Sequence, residues 1–172
     1  LVSIAAERCR LDHRESVLLA DVAQSGISDT IHGLPVNQWF ADRTRQGRKE
    51  TGDRIRASIA LHTHFPVLAE ALEDGQVGWQ HVGVLHRAAN MRNWQDLDAL
   101  LPELIGLAQV AGFERWAREV HAIAKRLDQD GGYDPATDPS NNQLHLVPTI
   151  DGVVHISGQL VGELALTITK LI

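Results

Sequence analysis

A single cysteine, Cys9, rules out a disulfide within the chain and fits a reducing compartment, so the expected location is cytoplasmic. Long apolar runs are also missing. No stretch approaches the roughly 18 residues a membrane span needs, so no membrane partner is expected. The first twenty residues, LVSIAAERCRLDHRESVLLA, interrupt their apolar residues with charge too often for a secretory signal. Positive charge is in deficit, with a net charge of -6 over 172 residues, and this excludes a protein that coats nucleic acid with its whole surface. Position 1 is leucine, and the last residues, LALTITKLI, stop inside an apolar helical pattern, so both ends read as cuts.

The motifs of common enzymes are missing too. There is no Walker loop, no dinucleotide glycine pattern after a strand and no serine elbow. The nine histidines offer three close pairs, His62 with His64, His81 with His86 and His145 with His155. None has the i, i+4 spacing and glutamate of a zinc-hydrolase helix, or the cysteine pairs of a structural finger. Asp128, Asp130, Asp134 and Asp138 resemble a calcium loop only until the template demands a ligand at Gly132 and a glutamate at Pro139. Cys9 and His13 share a helical face, but nothing beside them looks like an oxyanion turn, so Cys9 reads as a small apolar residue. No catalytic residue, metal site or cofactor is therefore assigned to these residues.

What the sequence does contain is helical periodicity over most of its length. Ile4, Leu11 and Leu18 recur every seven residues, with Leu19 and Val22 beside them, predicting a long amphipathic helix to about Gln24. SGISDTIHGLP reads as a loop, after which Pro35 starts a short helix carrying Trp39 and Phe40. A basic helix spans about Thr51 to His62 and must end before Pro66, which disfavours helical geometry in Phe65. Leu68, Ala71 and Leu72 mark a helix that Gly75 stops, and Val82, Leu85 and Ala89 mark the next. Asn93 caps a further stretch through Leu97, Leu100, Leu101, Leu104 and Ala108, which Pro102 can split. After Gly112, the residues Phe113, Trp116, Ala117, Val120, Ala124 and Leu127 make one apolar face.

Composition changes at Asp128, where DQDGGYDPATDPSNN cannot continue a helix. Leu144 and Leu146 then alternate with polar residues, and Val154, Ile156 and Leu160 predict a second strand across an Asp151-Gly152 hairpin turn. Pro148 makes the first strand an edge or a bulge. LALTITKLI reads as helix. The expected architecture is mainly α: a multi-helix bundle over 1–127, a polar linker over 128–142, and a small β-hairpin plus the start of a terminal helix over 143–172, packed on the bundle as one domain.

Two surfaces invite a functional reading. Residues 41–60 hold Arg43, Arg45, Arg48, Lys49, Arg54 and Arg56 against Asp42, Glu50 and Asp53, whereas 128–163 hold six acids and no lysine or arginine. This asymmetry permits a basic, DNA-facing surface, although charge at helical spacing also describes an ordinary solvated face. ALEDGQVGWQHVGVLHRAA has the outline of a helix-turn-helix, in which Trp79, Gln80, His81 and Arg87 reach outward towards bases or phosphates. Any two short packed helices give a similar outline, and Gly75 comes one position early.

The order of LPVNQWFADRT, IRASIALHTHFPVLAEALEDGQVGWQHV, GFERWAREVHAIAKRLDQDGG and the DGVVHISGQL hairpin resembles the 13E12 repeat family over nearly the whole chain. Members of that family are actinobacterial, have no assigned function for this region, and commonly carry an HNH nuclease module after it. The resemblance implies the accessory N-terminal domain of an HNH endonuclease that helps bind or position double-stranded DNA. It transfers no catalytic residue, since the divalent-metal centre of such a module would lie beyond Ile172. The alternative is a protein-interaction or dimerisation module without DNA contact, pairing through the heptad-spaced N-terminal helix as a homodimer.

Overall fold

A computed structural model describes residues 2–130, 142–148 and 153–170. It is mainly α with a small antiparallel sheet, as the periodicities predict, and it divides into two units, Leu1–Leu127 and Asp128–Ile172.

The first unit runs α1 (Val2–Ser25), α2 (Ile27–His32), α3 (Val36–Thr44), α4 (Arg48–His64), α5 (Pro66–Glu73), α6 (Trp79–Ala88), α7 (Trp94–Ala99), α8 (Leu101–Val110) and α9, which starts at Phe113 and continues to Asp130. Proline sets two of the boundaries. Pro66 opens α5 and leaves Phe65 at φ -131°, ψ 56°, outside helical geometry, so α4 stops at His64. Pro102 sits in the first turn of α8 and separates it from α7.

Three expectations shift. The segment read as a loop contains the short helix α2, because Gly26 and Gly33, at φ 63° and 65°, are its two left-handed end residues. The basic helix starts at Arg48, one turn earlier than expected, from a Gly47 N-cap. On α1 the heptad residues Ile4, Leu11 and Leu18 face outward at 61%, 57% and 64% exposure, while Ser16, Leu19 and Ala20 are buried. A polar or small residue every turn on the inner face lets α1 approach α4 and α5 closely.

The core gathers Leu61, Leu68 and Leu72 from α4 and α5, Val82 and Leu85 from α6, and Trp116 and Val120 from α9. Trp116 is buried, and its indole N–H donates to the Leu104 carbonyl at 2.8 Å, so its one polar atom is satisfied.

The second unit contains β1 (Gln143–Pro148), β2 (Val154–Gln159) and α10 (Gly162–Thr169). The strands pair antiparallel from Gln143 opposite Gln159 to Pro148 opposite Val154, and Leu160 lies just past β2. Gly158 is required at its place, since a Cβ there would come within 2.0 Å of the Gln143 carbonyl oxygen. The Asp151-Gly152 turn, the Asp134 and Asp138 carboxylates and most of the 128–142 linker lie outside the described residues.

Candidate functional site

The first turns of α4 and one face of α6 border a cleft of about 630 Å³. From α4 come Lys49, Asp53 and Arg54; from α6 come Trp79, Gly83 and Arg87, spaced i, i+4, i+8 along a single stripe. Gly83 has a purpose in this stripe. A glycine in a helix interior costs about 1 kcal/mol relative to alanine, and here it leaves a notch over which the Arg87 guanidinium folds, 3.4 Å from where a Cβ would stand. A second hollow of about 420 Å³ shares Trp79, Gly83 and Arg87 and adds Gln80, Phe113 and Glu114.

The basic residues of the 41–60 segment divide into two groups. Arg54 is turned inward: its guanidinium donates to Asp12 at 2.6 Å and to Glu15, both on α1, and lies 4.2 Å over the Trp79 ring. With 17% of its side chain exposed, it ties α1, α4 and α6 together and has little left for an external anion. Arg56 pairs with Asp53 at the surface. Arg43, Arg45, Arg48, Lys49 and Arg87 are exposed. Arg43 and Arg45 close α3, where Arg45 takes a left-handed φ of 58°; Arg48 and Lys49 open α4 directly afterwards.

That placement runs against the helix's own field. A helix N-terminus carries partial positive charge and favours anions, yet α4 begins Arg48-Lys49, with Glu50 as the acid of its first turn and no side-chain cap from Gly47. The first amides of α4 and two cationic side chains therefore lie together, and one of the two, Lys49, lines the cleft with Arg87, as do the acids Glu50 and Asp53.

The α6 residues separate likewise. Gln80 is exposed. His81 is drawn inward: its Nδ1 accepts the Gly78 amide hydrogen at 3.2 Å, capping α6, and its ring meets Phe113 and Trp116 edge-on at 5.1 and 4.6 Å. Burial pushes its pKa below the ordinary histidine value. The geometry thus gives His81 a capping and packing task, and of the outward-reading set it leaves Gln80 and Arg87 at the surface. The five-residue turn between α5 and α6 carries Gly75 at φ 74°, packed against Ala6.

Two further features were not legible beforehand. His86 also borders the cleft, with its pKa pushed down by burial and then by Arg56 and Arg87. Between α1 and α4, the Ser16 hydroxyl donates to the His13 carbonyl at 2.7 Å, so His62 Nε2, at 2.9 Å, is the donor to Ser16. Ser16 is fully buried and its hydrogen is engaged by the backbone, which makes this a structural contact and no nucleophile. Burial, and next Asp12, raise the Cys9 pKa, so its thiol stays protonated.

Among the described residues, no group of three or more histidine, cysteine, aspartate or glutamate side chains is placed to hold a metal ion, and no helix is long and apolar enough to cross a membrane. The profile of a family described as a domain of unknown function, DUF222, matches residues 1–172. No curated protein and no solved structure matches the chain.

Proposed function

Because the chain belongs to the DUF222 family, whose description assigns no activity, we propose from its surface chemistry that it is an accessory domain that grips double-stranded DNA through the phosphate backbone. The contacts come from Arg48 and Lys49 at the start of α4 and Arg87 on α6, flanked by Arg43 and Arg45, with Gln80 beside Arg87. The observation that carries this reading is the cation pair at the N-terminus of α4. Local electrostatics disfavour cations there, and an external anion resolves the conflict by meeting both the side chains and the first amides.

The likeness to the 13E12 repeat family supports the rest of the proposal: the grip delivers DNA to an HNH-type nuclease module in the parent protein. Arg54 and His81 act in this scheme as supports, Arg54 tying α4 to α1 and α6 and His81 capping α6, so that Lys49 and Arg87 line one cleft. Recognition is then largely independent of sequence, as phosphate contacts carry register and affinity and little base information.

A salt titration of duplex binding, read by fluorescence anisotropy, tests it. Three to five phosphate contacts give a slope of log K against log salt of about -3 to -4.5, and replacing Arg48, Lys49 and Arg87 by glutamine lowers it by up to about 3. Arg56→Gln, which removes a residue already paired with Asp53, leaves the slope nearly unchanged. Absence of binding at about 50 mM salt refutes the reading.

A further inference from the structure

The cleft between α4 and α6 does not end at Arg87. About one turn further along both helices it adjoins a separate hollow of about 220 Å³, walled by His64 and Phe65 where α4 ends, by Trp94 at the start of α7, and by Met91. The two share His86, and Ala57 borders the first where Ala60 borders the second. α4 and α6 therefore flank one track, charged at Lys49 and aromatic at His64. At about 1.5 Å per residue, the rise along α4 between these two residues is about 22 Å.

The chemistry changes along this track. The first part holds Lys49 and Arg87 but also Glu50 and Asp53, and a surface that met phosphates alone would be weakened by carboxylates. Asp53 is paired with Arg56, whereas Glu50 makes no ion pair among the described residues. A carboxylate accepts hydrogen bonds from the exocyclic amine of a base. In the second part the His64 and Trp94 rings lie 4.4 Å apart and tilted by 38°, Phe65 is buried, and Met91 is 86% exposed. The hollow is smaller than the roughly 300 Å³ at which pockets for drug-sized ligands begin, which leaves room for a single ring system. Cations followed by aromatic walls suit a strand whose phosphates stay outside while its bases stack. A base paired within a duplex cannot enter such a hollow without leaving its stack.

We propose that this track takes an unpaired stretch of one DNA strand, its phosphates on Lys49 and Arg87, a base edge towards Glu50, and one base seated in the hollow against Trp94 and His64. The track is longer than one nucleotide and has room for about four, the low end of what a small single-strand-binding domain covers. The proposal rests on the phosphate grip and adds its target: the domain holds the point at which a duplex gives way to a single strand.

Fluorescence anisotropy tests it with a labelled duplex that is blunt or extended by about four unpaired deoxyadenosines at its 5′ or its 3′ end. The expected result is that a tail of at least one polarity tightens binding about fivefold or more, the effect of one base stacked on an aromatic side chain. An abasic tail of the same length, which keeps the phosphates and removes the bases, gives no comparable gain. Trp94→Ala brings the ratio of tailed to blunt affinity down towards one, as does Met91→Glu at an exposed position that the fold does not need. Each ratio is taken on one protein, so a partly unfolded sample does not mimic the effect. Tailed and blunt duplexes bound alike overturn the proposal and leave the duplex grip standing, whereas binding of neither at about 50 mM salt removes both. An abasic tail that matches the deoxyadenosine tail, or a gain that survives both variants, overturns the seating of a base in the hollow.

Discussion

Aliphatic side chains lie in opposite circumstances in the two units. In Leu1–Leu127, Leu72, Leu85, Leu97, Leu101 and Val120 have no exposed surface, whereas in Asp128–Ile172, Leu144, Leu146, Ile156 and Leu166 are 51–65% exposed. Burial of apolar area, at about 25 cal/mol per Å², is the main driving force of folding, and chains of about 40 residues seldom enclose enough of it. The first unit thus rests on a core of its own. The second holds its elements by hairpin pairing and by the hollow of about 330 Å³ that Leu144, Ile156, Leu160 and Ile168 share.

The severest attempt to break this contrast is to cut the chain. A fragment of residues 1–127 is expected to melt cooperatively, and one of residues 128–172 to show no cooperative transition by circular dichroism. Cooperative melting of the shorter piece alone would reverse the comparison. Within the whole chain, Trp116→Ala costs about 3–5 kcal/mol, since it opens a cavity and strands the Leu104 carbonyl, while Ile156→Ala, already 65% exposed, stays within about 0.5 kcal/mol. Urea denaturation read at the core transition measures both.

How the sequence announced these features follows the same division. The stripe of Trp116, Val120 and Ala124 was readable because its residues are large and meet one continuous core. On α1, a stripe was equally readable, yet periodicity cannot say whether a stripe faces inward. The side that docks is marked by Ser16, Ala20 and Cys9, small residues that a count of hydrophobicity passes over. Around the cleft, the cluster of cations was visible, but their separate fates were not. Arg54 meets carboxylates 42 and 39 positions away, a pairing that only the fold creates. The stripe of Trp79, Gly83 and Arg87 carried its signal in the i, i+4, i+8 spacing, hidden because glycine reads as a flaw in a helix.

That inward arginine sharpens the contrast at the edge of the first unit's core. Arg54→Gln removes the cation from between Asp12 and Glu15 and from the Trp79 face, leaving two carboxylates partly desolvated; the expected cost is about 1–3 kcal/mol. Arg48→Gln, three residues before Thr51 on the same helix, is expected to change stability by less than about 0.5 kcal/mol while weakening DNA binding. Equal stability losses in the two variants would mean that the inward and outward arginines have been wrongly distinguished.

The mildest effect concerns acid. His62, His81 and His86 all lie in the first unit, and burial is the leading cause that holds each below the ordinary histidine pKa of about 6.5. For His62 the neighbouring His13 adds to the shift and Asp21 opposes it. A lowered folded-state pKa means that the unfolded chain takes up protons first as pH falls. Stability is therefore complete above about pH 6.5, declines as the pH drops from there towards the folded values, and levels off once the folded state is protonated too. Thermal melts between about pH 7.5 and pH 5 should show the fall, and His62→Gln, which keeps a donor within reach of Ser16, should make it shallower. Because the three groups belong to one unit, the 1–127 fragment should show the same acid sensitivity as the whole chain. A fragment indifferent to pH, beside a whole chain that is not, would move the response to the second unit and undo the contrast drawn between them.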